Sequence, residues 1–140
     1  MQVNPNPHVG IDYGSKMAGT TVIAFARADG KIEFYQSEKK KDADKMIETW
    51  LMEHSIKLVF IDAPLSLPKV YQKPTASGNY FYRKADAELR AMSPMFLGGL
   101  TARAMRLKAV LSEEACQLFE VYPGQLAKHL ELPKEKYKKD

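Results

Sequence analysis

The chain lacks most of what would fix its chemistry at a glance. A single cysteine, Cys116, in 140 residues excludes an intramolecular disulfide and fits a reducing cytoplasm. Its apolar neighbours make it a core residue rather than a reactive thiol. The 3 histidines, His8, His54 and His129, are scattered without metal-ligand spacing and read as structural or surface residues. No apolar run reaches transmembrane length, and Met1-Gln2-Val3-Asn4-Pro5 has no signal-peptide apolar region, so a cytoplasmic protein with no membrane partner is expected. There is no Walker A sequence and no Ser-His-Asp or Cys-His pattern, which removes the P-loop enzymes and the usual nucleophilic hydrolases. Nor is there an internal repeat, low-complexity tract or linker. What is present is ordinary in bulk: 45% hydrophobic and 27% charged residues suit a single globular domain over residues 1–140 with a sizeable core. The net charge of +4 is compatible with a phosphate-bearing partner, nucleic acid among them, though many non-binding proteins are equally basic. Much of that charge sits in Lys39-Lys40-Lys41 and in Lys134 to Lys139, which read as solvated surface.

The apolar pattern changes period along the chain. Residues 8–14 read as a first strand, Thr20 to Ala28 as a second, rich in β-branched and aromatic side chains, and Lys31 to Ser37 as an alternating third. Gly14 to Gly19 and Asp29-Gly30 supply two tight reversals, the latter a strong hairpin signal, so an antiparallel meander is expected. Met46, Ile47, Trp50 and Leu51 then fall at helical spacing, with Asp42 or Asp44 able to cap a helix over 43–54. Lys57 to Asp62 is a short apolar run typical of a buried parallel strand. Residues 63–79, with Pro64, Pro68, Pro74 and Gly78, form a loop of a length that is usually functional or mobile. Helices are expected over Phe81–Met92 and from a Thr101 cap to Ser112. A fifth strand follows over Gln117–Tyr122, then a last helix from Pro123 carrying Leu126, Ala127 and Leu130. The order β-β-β-α-β-α-α-β-α describes a mixed, five-stranded α/β sheet with helices on its faces. It is the element order of ribonuclease H-like folds, and the first unit of actin-like and sugar-kinase ATPases shares it.

Two aspartates end apolar strands and are followed at once by a turn. Asp12 lies in Val9-Gly10-Ile11-Asp12-Tyr13-Gly14-Ser15 and Asp62 in Leu58-Val59-Phe60-Ile61-Asp62-Ala63-Pro64-Leu65. Each alone reads equally well as a turn residue. On adjacent parallel strands they would meet at the carboxyl end of the sheet, where ligands bind, and form an anionic pocket suited to divalent cations. Glu120 ends a further strand and shares a face with Leu118, opposite Phe119 and Val121. It is a third ligand, a supporting base or an exposed strand charge. On the helix Arg83-Lys84-Ala85-Asp86-Ala87-Glu88-Leu89-Arg90, the residues Arg83, Asp86 and Arg90 fall at i, i+3 and i+7 and would share one face. By themselves they read better as an exposed ion-pair ladder than as a phosphate site. Arg103 and Arg106 follow Gly98-Gly99-Leu100-Thr101, a weak anion-binding signal at a helix start.

Taken together, Gly10-Ile11-Asp12, Ile61-Asp62-Ala63-Pro64-Leu65-Ser66-Leu67-Pro68, Arg83 to Arg90 and Glu120-Val121-Tyr122-Pro123 resemble, in this order, the family called domain of unknown function 429, described as predicted ribonuclease H-like nucleases. Leu100-Thr101-Ala102-Arg103-Ala104 and Tyr137-Lys138 also fit, so the resemblance runs from Gly10 to Lys138. It implies a ribonuclease H-like fold, with Asp12, Asp62, Asp86 and Glu120 as site residues and Arg83 and Arg90 beside them. Related enzymes, Holliday-junction resolvases included, take a final acid from a C-terminal helix. Family members continue past the Tyr-Lys position, whereas this sequence stops at Asp140, which leaves open whether that helix is missing. Its absence would expose apolar sheet surface and make a homodimer plausible.

The leading expectation is a Mg²⁺- or Mn²⁺-dependent nuclease with an Asp/Glu two-metal site. Asp12, Asp62 and Glu120 would ligate metal, Asp86 would complete the shell or orient water, and Arg83, Arg90, Lys16 and Arg103 would hold substrate phosphates. One alternative is a non-catalytic domain that binds nucleic acid or protein, with Tyr71, Tyr80, Phe81 and Tyr82 near the long loop as base-stacking candidates that read more readily as packing. Another is actin-like nucleotide binding through the Asp12-Tyr13-Gly14-Ser15 turn with Lys16 and Gly19-Thr20, against which stands the room for only one such domain.

Overall fold

In a computed structural model that describes residues 7–123, the meander comprises strands β1 (His8–Asp12), β2 (Val22–Ala26) and β3 (Ile32–Gln36). Helix α1 (Ala43–Glu53), strand β4 (Leu58–Ile61), a 3₁₀ turn (Lys69–Tyr71), helices α2 (Lys84–Leu89), α3 (Pro94–Leu97) and α4 (Gly99–Glu113), and strand β5 (Gln117–Glu120) follow. The helix expected after Pro123 lies outside the described residues. The strands form one 5-stranded mixed sheet in the order β3-β2-β1-β4-β5. β2 is antiparallel to β1 and β3, whereas β4 is parallel to β1 and β5. The register Ile11↔Ile61↔Glu120 brings the carboxyl ends of β1, β4 and β5 to one edge, where side chains are freed from the ladder to meet a ligand.

The period of two along the strands divides the sheet cleanly. Val9, Ile11, Ile23, Val59, Ile61 and Leu118 are buried on one face, against Ile47, Trp50 and Leu51 of α1 and Ala104, Leu107 and Leu111 of α4. Those helical residues recur at i, i+3, i+4 or i+7 and so form single stripes. Each fully buried aliphatic side chain contributes roughly 1.5–3 kcal/mol, so this one layer dominates the stability. The opposite face carries Ile32 and Phe34 at 58% and 69% exposure, with Phe119 also exposed. Cys116 is buried, and burial pushes its thiol pKa up, in keeping with core packing. Among the described residues no helix is long and apolar enough to cross a membrane.

Two helix starts differ from expectation, each for a local reason. α2 begins at Lys84 rather than Phe81 because Asn79 Oδ1 accepts the N–H groups of Phe81 and Tyr82 at 3.0 and 2.9 Å, holding both in a turn. It stops at Leu89 rather than Met92 because Arg90 turns left-handed, with φ of 54°. α4 begins at Gly99, two residues before Thr101, after Gly98 with φ of 52°. Thr101 is buried and donates its hydroxyl to Pro94 O at 2.8 Å instead of capping.

Candidate functional site

At the carboxyl end of β1 and β4, Asp12 and Asp62 come together. The Tyr13 N–H donates to Asp62 Oδ1 at 2.8 Å, and the Asp62 N–H lies 3.4 Å from Ile11 O. The turn after Asp12 is close-packed, since a Cβ on Gly14 would lie 2.1 Å from Thr20 Oγ1. Burial pushes the Asp62 carboxyl up to about 6, against the Tyr13 N–H, while the charge of Asp12 and a hydrogen bond with it push the same way as burial. Among the described residues no lysine or arginine pairs with either acid. The pair is therefore a concentration of negative charge that the fold itself does not neutralise.

The neighbouring acids are in the opposite condition. Arg83, at the N-cap of α2, donates from Nε to Asp86 Oδ2 at 2.9 Å and from Nη2 to Asp86 Oδ1 at 2.7 Å. The same guanidinium reaches Glu120 Oε1 at 2.5 Å and Oε2 at 3.0 Å, Ser66 Oγ at 3.1 Å and the Tyr122 hydroxyl at 3.2 Å. The Leu65 N–H and the Tyr122 hydroxyl add bonds to Glu120 at 2.6 and 2.7 Å. Burial alone would raise the Glu120 carboxyl, but Arg83, the Leu65 N–H and Tyr122 outweigh it and hold the carboxyl below its usual range. Burial and the bond to Glu120 push Tyr122 up to about 12. Asp86 is only 1% exposed and also accepts the Arg83 N–H at 2.9 Å. The expected meeting of Arg83 and Asp86 is thus present, but across a helix start rather than along a helix face. Arg90, at the left-handed end of α2, is exposed and forms no ion pair among the described residues.

A further buried cluster ties β1, α1 and α4 together. The Tyr13 hydroxyl donates to Asp44 Oδ1 at 2.5 Å. Arg103 reaches Asp44 through Nε and Nη2, both at 2.9 Å, and Gly14 O through Nη1 at 3.0 Å. Its guanidinium lies 4.5 Å from the centre of the Tyr13 ring. Burial and the bond to Asp44 drive the Tyr13 hydroxyl's pKa upward. Arg103, expected at a phosphate, is committed to this anchor. The Gly14 N–H, which an actin-like phosphate turn would offer to its ligand, goes to Thr21 Oγ1 at 2.9 Å. Sequence reasoning weighed Asp44 only as a cap. Asp42 is the cap, accepting the Asp44 and Lys45 N–H groups at 2.9 and 3.3 Å. The available signal was position: Asp44 falls on the stripe of Ile47 and Leu51, where an acid must find a buried partner.

Of the expected metal ligands, Asp12 and Asp62 meet, while Glu120 is engaged by Arg83. Its register partner is Ile61, not Asp62, so the pleat sends its side chain toward the other face. Among the described residues no group of 3 or more His, Cys, Asp or Glu side chains is arranged to hold a metal. Lys16 lies 3.6 Å from Asp42 in an exposed ion pair. In comparisons with known proteins, the chain matches no family model and no curated protein.

Proposed function

We propose that the chain is a ribonuclease H-like, metal-dependent phosphodiesterase acting on nucleic acid, with Asp12 and Asp62 as ligands for Mg²⁺ or Mn²⁺. One observation carries this reading: two carboxylates, Asp12 pushing the Asp62 pKa up, stand at the carboxyl ends of adjacent parallel strands with no basic partner among the described residues. The strand order, with β1 beside and parallel to β4, supports the ribonuclease H-like assignment.

The donors suit the cation. Magnesium is commonly held by one or two carboxylates together with substrate phosphate and water, so a pair of hard oxygen donors fits it. When bound, the cation supplies charge stabilisation at a phosphoryl oxygen. The chain's own groups prepare the place. The Tyr13 N–H donates to Asp62, whose carboxyl is pushed up to about 6. Arg83 keeps Glu120 and Asp86 bound to itself. The exposed Arg90 is free to meet a phosphate.

A second reading, a non-catalytic domain that binds nucleic acid or protein, is favoured by the engagement of Asp86 and Glu120 with Arg83, which leaves two available carboxylates instead of four. Calorimetric titration of Mn²⁺ into the full chain and into Asp12→Asn at neutral pH, with and without oligonucleotide, separates them. A metal-dependent nuclease binds Mn²⁺, cleaves labelled strands with it, and loses both in the variant. Binding without cleavage of single-stranded, duplex or branched substrates supports the second reading. An intact chain that takes up no Mn²⁺ even with oligonucleotide refutes the first.

A further inference from the structure

The loop between β4 and α2 does more than connect them. Together with the start of α2 it encloses an open basin of about 650 Å³, whose lining includes Lys69, Lys73, Lys84, Ser66, Asn79 and Tyr82, with Arg83 also in its wall. No aspartate or glutamate lines it. Lys69 and Lys73 form no ion pair among the described residues, and Lys84 approaches Glu88 only at 3.9 Å with both side chains exposed. The neutral groups present donors as well. Ser66 Oγ accepts from Arg83 at 3.1 Å, which leaves its own proton to give. Asn79 Oδ1 is occupied by the N–H groups of Phe81 and Tyr82, so the Nδ2 hydrogens remain for a ligand.

The basin is built rather than loosely draped. The Tyr71 hydroxyl donates to Tyr80 O and the Tyr80 hydroxyl to Thr75 O, each at 3.0 Å. At Gly78 the loop closes so tightly that a Cβ would lie 2.2 Å from Val70 Cγ2. Fixing a loop before binding removes an ordering cost from association. The Tyr82 ring, 39% exposed, lines the same cavity and offers a face on which a base can stack.

We propose that this basin binds a nucleotide, with Lys69, Lys73 and the Ser66 and Asn79 donors on its phosphate and Tyr82 against its base. A cationic, donor-rich wall selects phosphate, and the aromatic ring beside it selects a nucleoside ester over a bare anion. The assignment stands whether or not the Asp12–Asp62 pair hydrolyses anything, because it needs no metal.

The test is calorimetric titration of the full chain in EDTA at about 50 mM salt, where such contacts are strongest. The probes are pyrophosphate, thymidine, thymidine 5′-monophosphate and a 5′-phosphorylated thymidine hexanucleotide. Expected is binding of the monophosphate or the hexanucleotide and none of thymidine. If the monophosphate binds, the source is a free nucleotide; if only the hexanucleotide binds, it is a strand. Lys69→Gln/Lys73→Gln should weaken binding about tenfold or more by removing two charges. Thr75→Glu should do the same by adding a repulsive one, and Tyr82→Leu should weaken the monophosphate but not pyrophosphate. Lys108→Gln, on the exposed side of α4, should change nothing. All four variants sit on the surface, and unchanged melting confirms their fold. Failure of every phosphate probe to bind the parent chain overturns the proposal, as does undiminished binding by both the double variant and Thr75→Glu.

Discussion

Two carboxylate clusters in this molecule are treated in opposite ways. Around Arg83, two acids share one guanidinium, a hydroxyl and two backbone N–H groups, and Glu120 is held below its usual range. At Asp12 and Asp62, two acids have no basic partner among the described residues, and Asp62 is pushed up to about 6. A satisfied cluster holds elements together. An unsatisfied one stores unfavourable energy that a cation relieves, and perturbed titration in such a setting marks functional sites more often than chance. The difference separates acids that the fold has already neutralised from a pair that it has not, although sequence had grouped all of them.

The comparison breaks most easily at Arg83. Arg83→Met leaves Asp86 and Glu120 charged and unpaired inside the fold, so stability should fall by about 3–5 kcal/mol in urea denaturation at neutral pH. Replacing all three together, as Arg83→Met/Asp86→Asn/Glu120→Gln, should recover much of the loss, because no buried charge is then left without a partner. A loss under about 1 kcal/mol in the single variant would place Arg83 among ordinary surface pairs and erase the contrast.

The Asp pair should respond with the opposite sign. The folded chain raises Asp62 above its unfolded value of 3.8 to about 6, so between those values the native state holds more protons than the unfolded one. Stability then falls as pH rises through that window, the reverse of the usual aspartate. Asp62→Asn keeps an acceptor for the Tyr13 N–H and removes the penalty. After discounting for partial exposure, it should stabilise the chain by about 1–2 kcal/mol at pH 8, with the gain vanishing below about pH 4. Mn²⁺ affinity of the parent chain should weaken as pH drops through about 6, since ligands must be deprotonated. Melting curves at the two pH values check the first expectation and calorimetry the second. A destabilised Asp62→Asn at pH 8 would mean that Asp62 is a structural acid like Glu120.

Much of the fold was legible because each signal was local. The Asp29-Gly30 turn closes as expected, with the Arg27 N–H on Lys31 O at 2.8 Å and Gly30 at φ of 86°. The stripe of Ile47, Trp50 and Leu51 named the buried face of α1, and the strand-end position of Asp12 and Asp62 named the pair. What stayed hidden depends on side chains distant in sequence. Arg83 reaches Glu120 across 37 residues and Arg103 reaches Asp44 across 59. No periodicity encodes which of several acids an arginine will neutralise. The Asn79 side chain decides the start of α2 by intercepting two N–H groups, and that too is invisible to helix spacing.

The smallest effect separates a strained arginine kept for a ligand from one kept by accident. Arg90 and Ala115 both follow a helix in the left-handed region, with φ of 54° and 57°. Glycine adopts that conformation without the Cβ clash, so Arg90→Gly and Ala115→Gly should each stabilise by up to about 1 kcal/mol. Their melting temperatures should therefore rise together. Oligonucleotide affinity should not follow them both. If Arg90 meets phosphate beside the Asp pair, Arg90→Gly weakens binding several-fold and flattens its salt dependence, whereas Ala115→Gly leaves both unchanged. Parallel behaviour of the two variants in the binding assay would assign Arg90 to solvent, and the phosphate contacts of the site would then have to come from elsewhere on the chain.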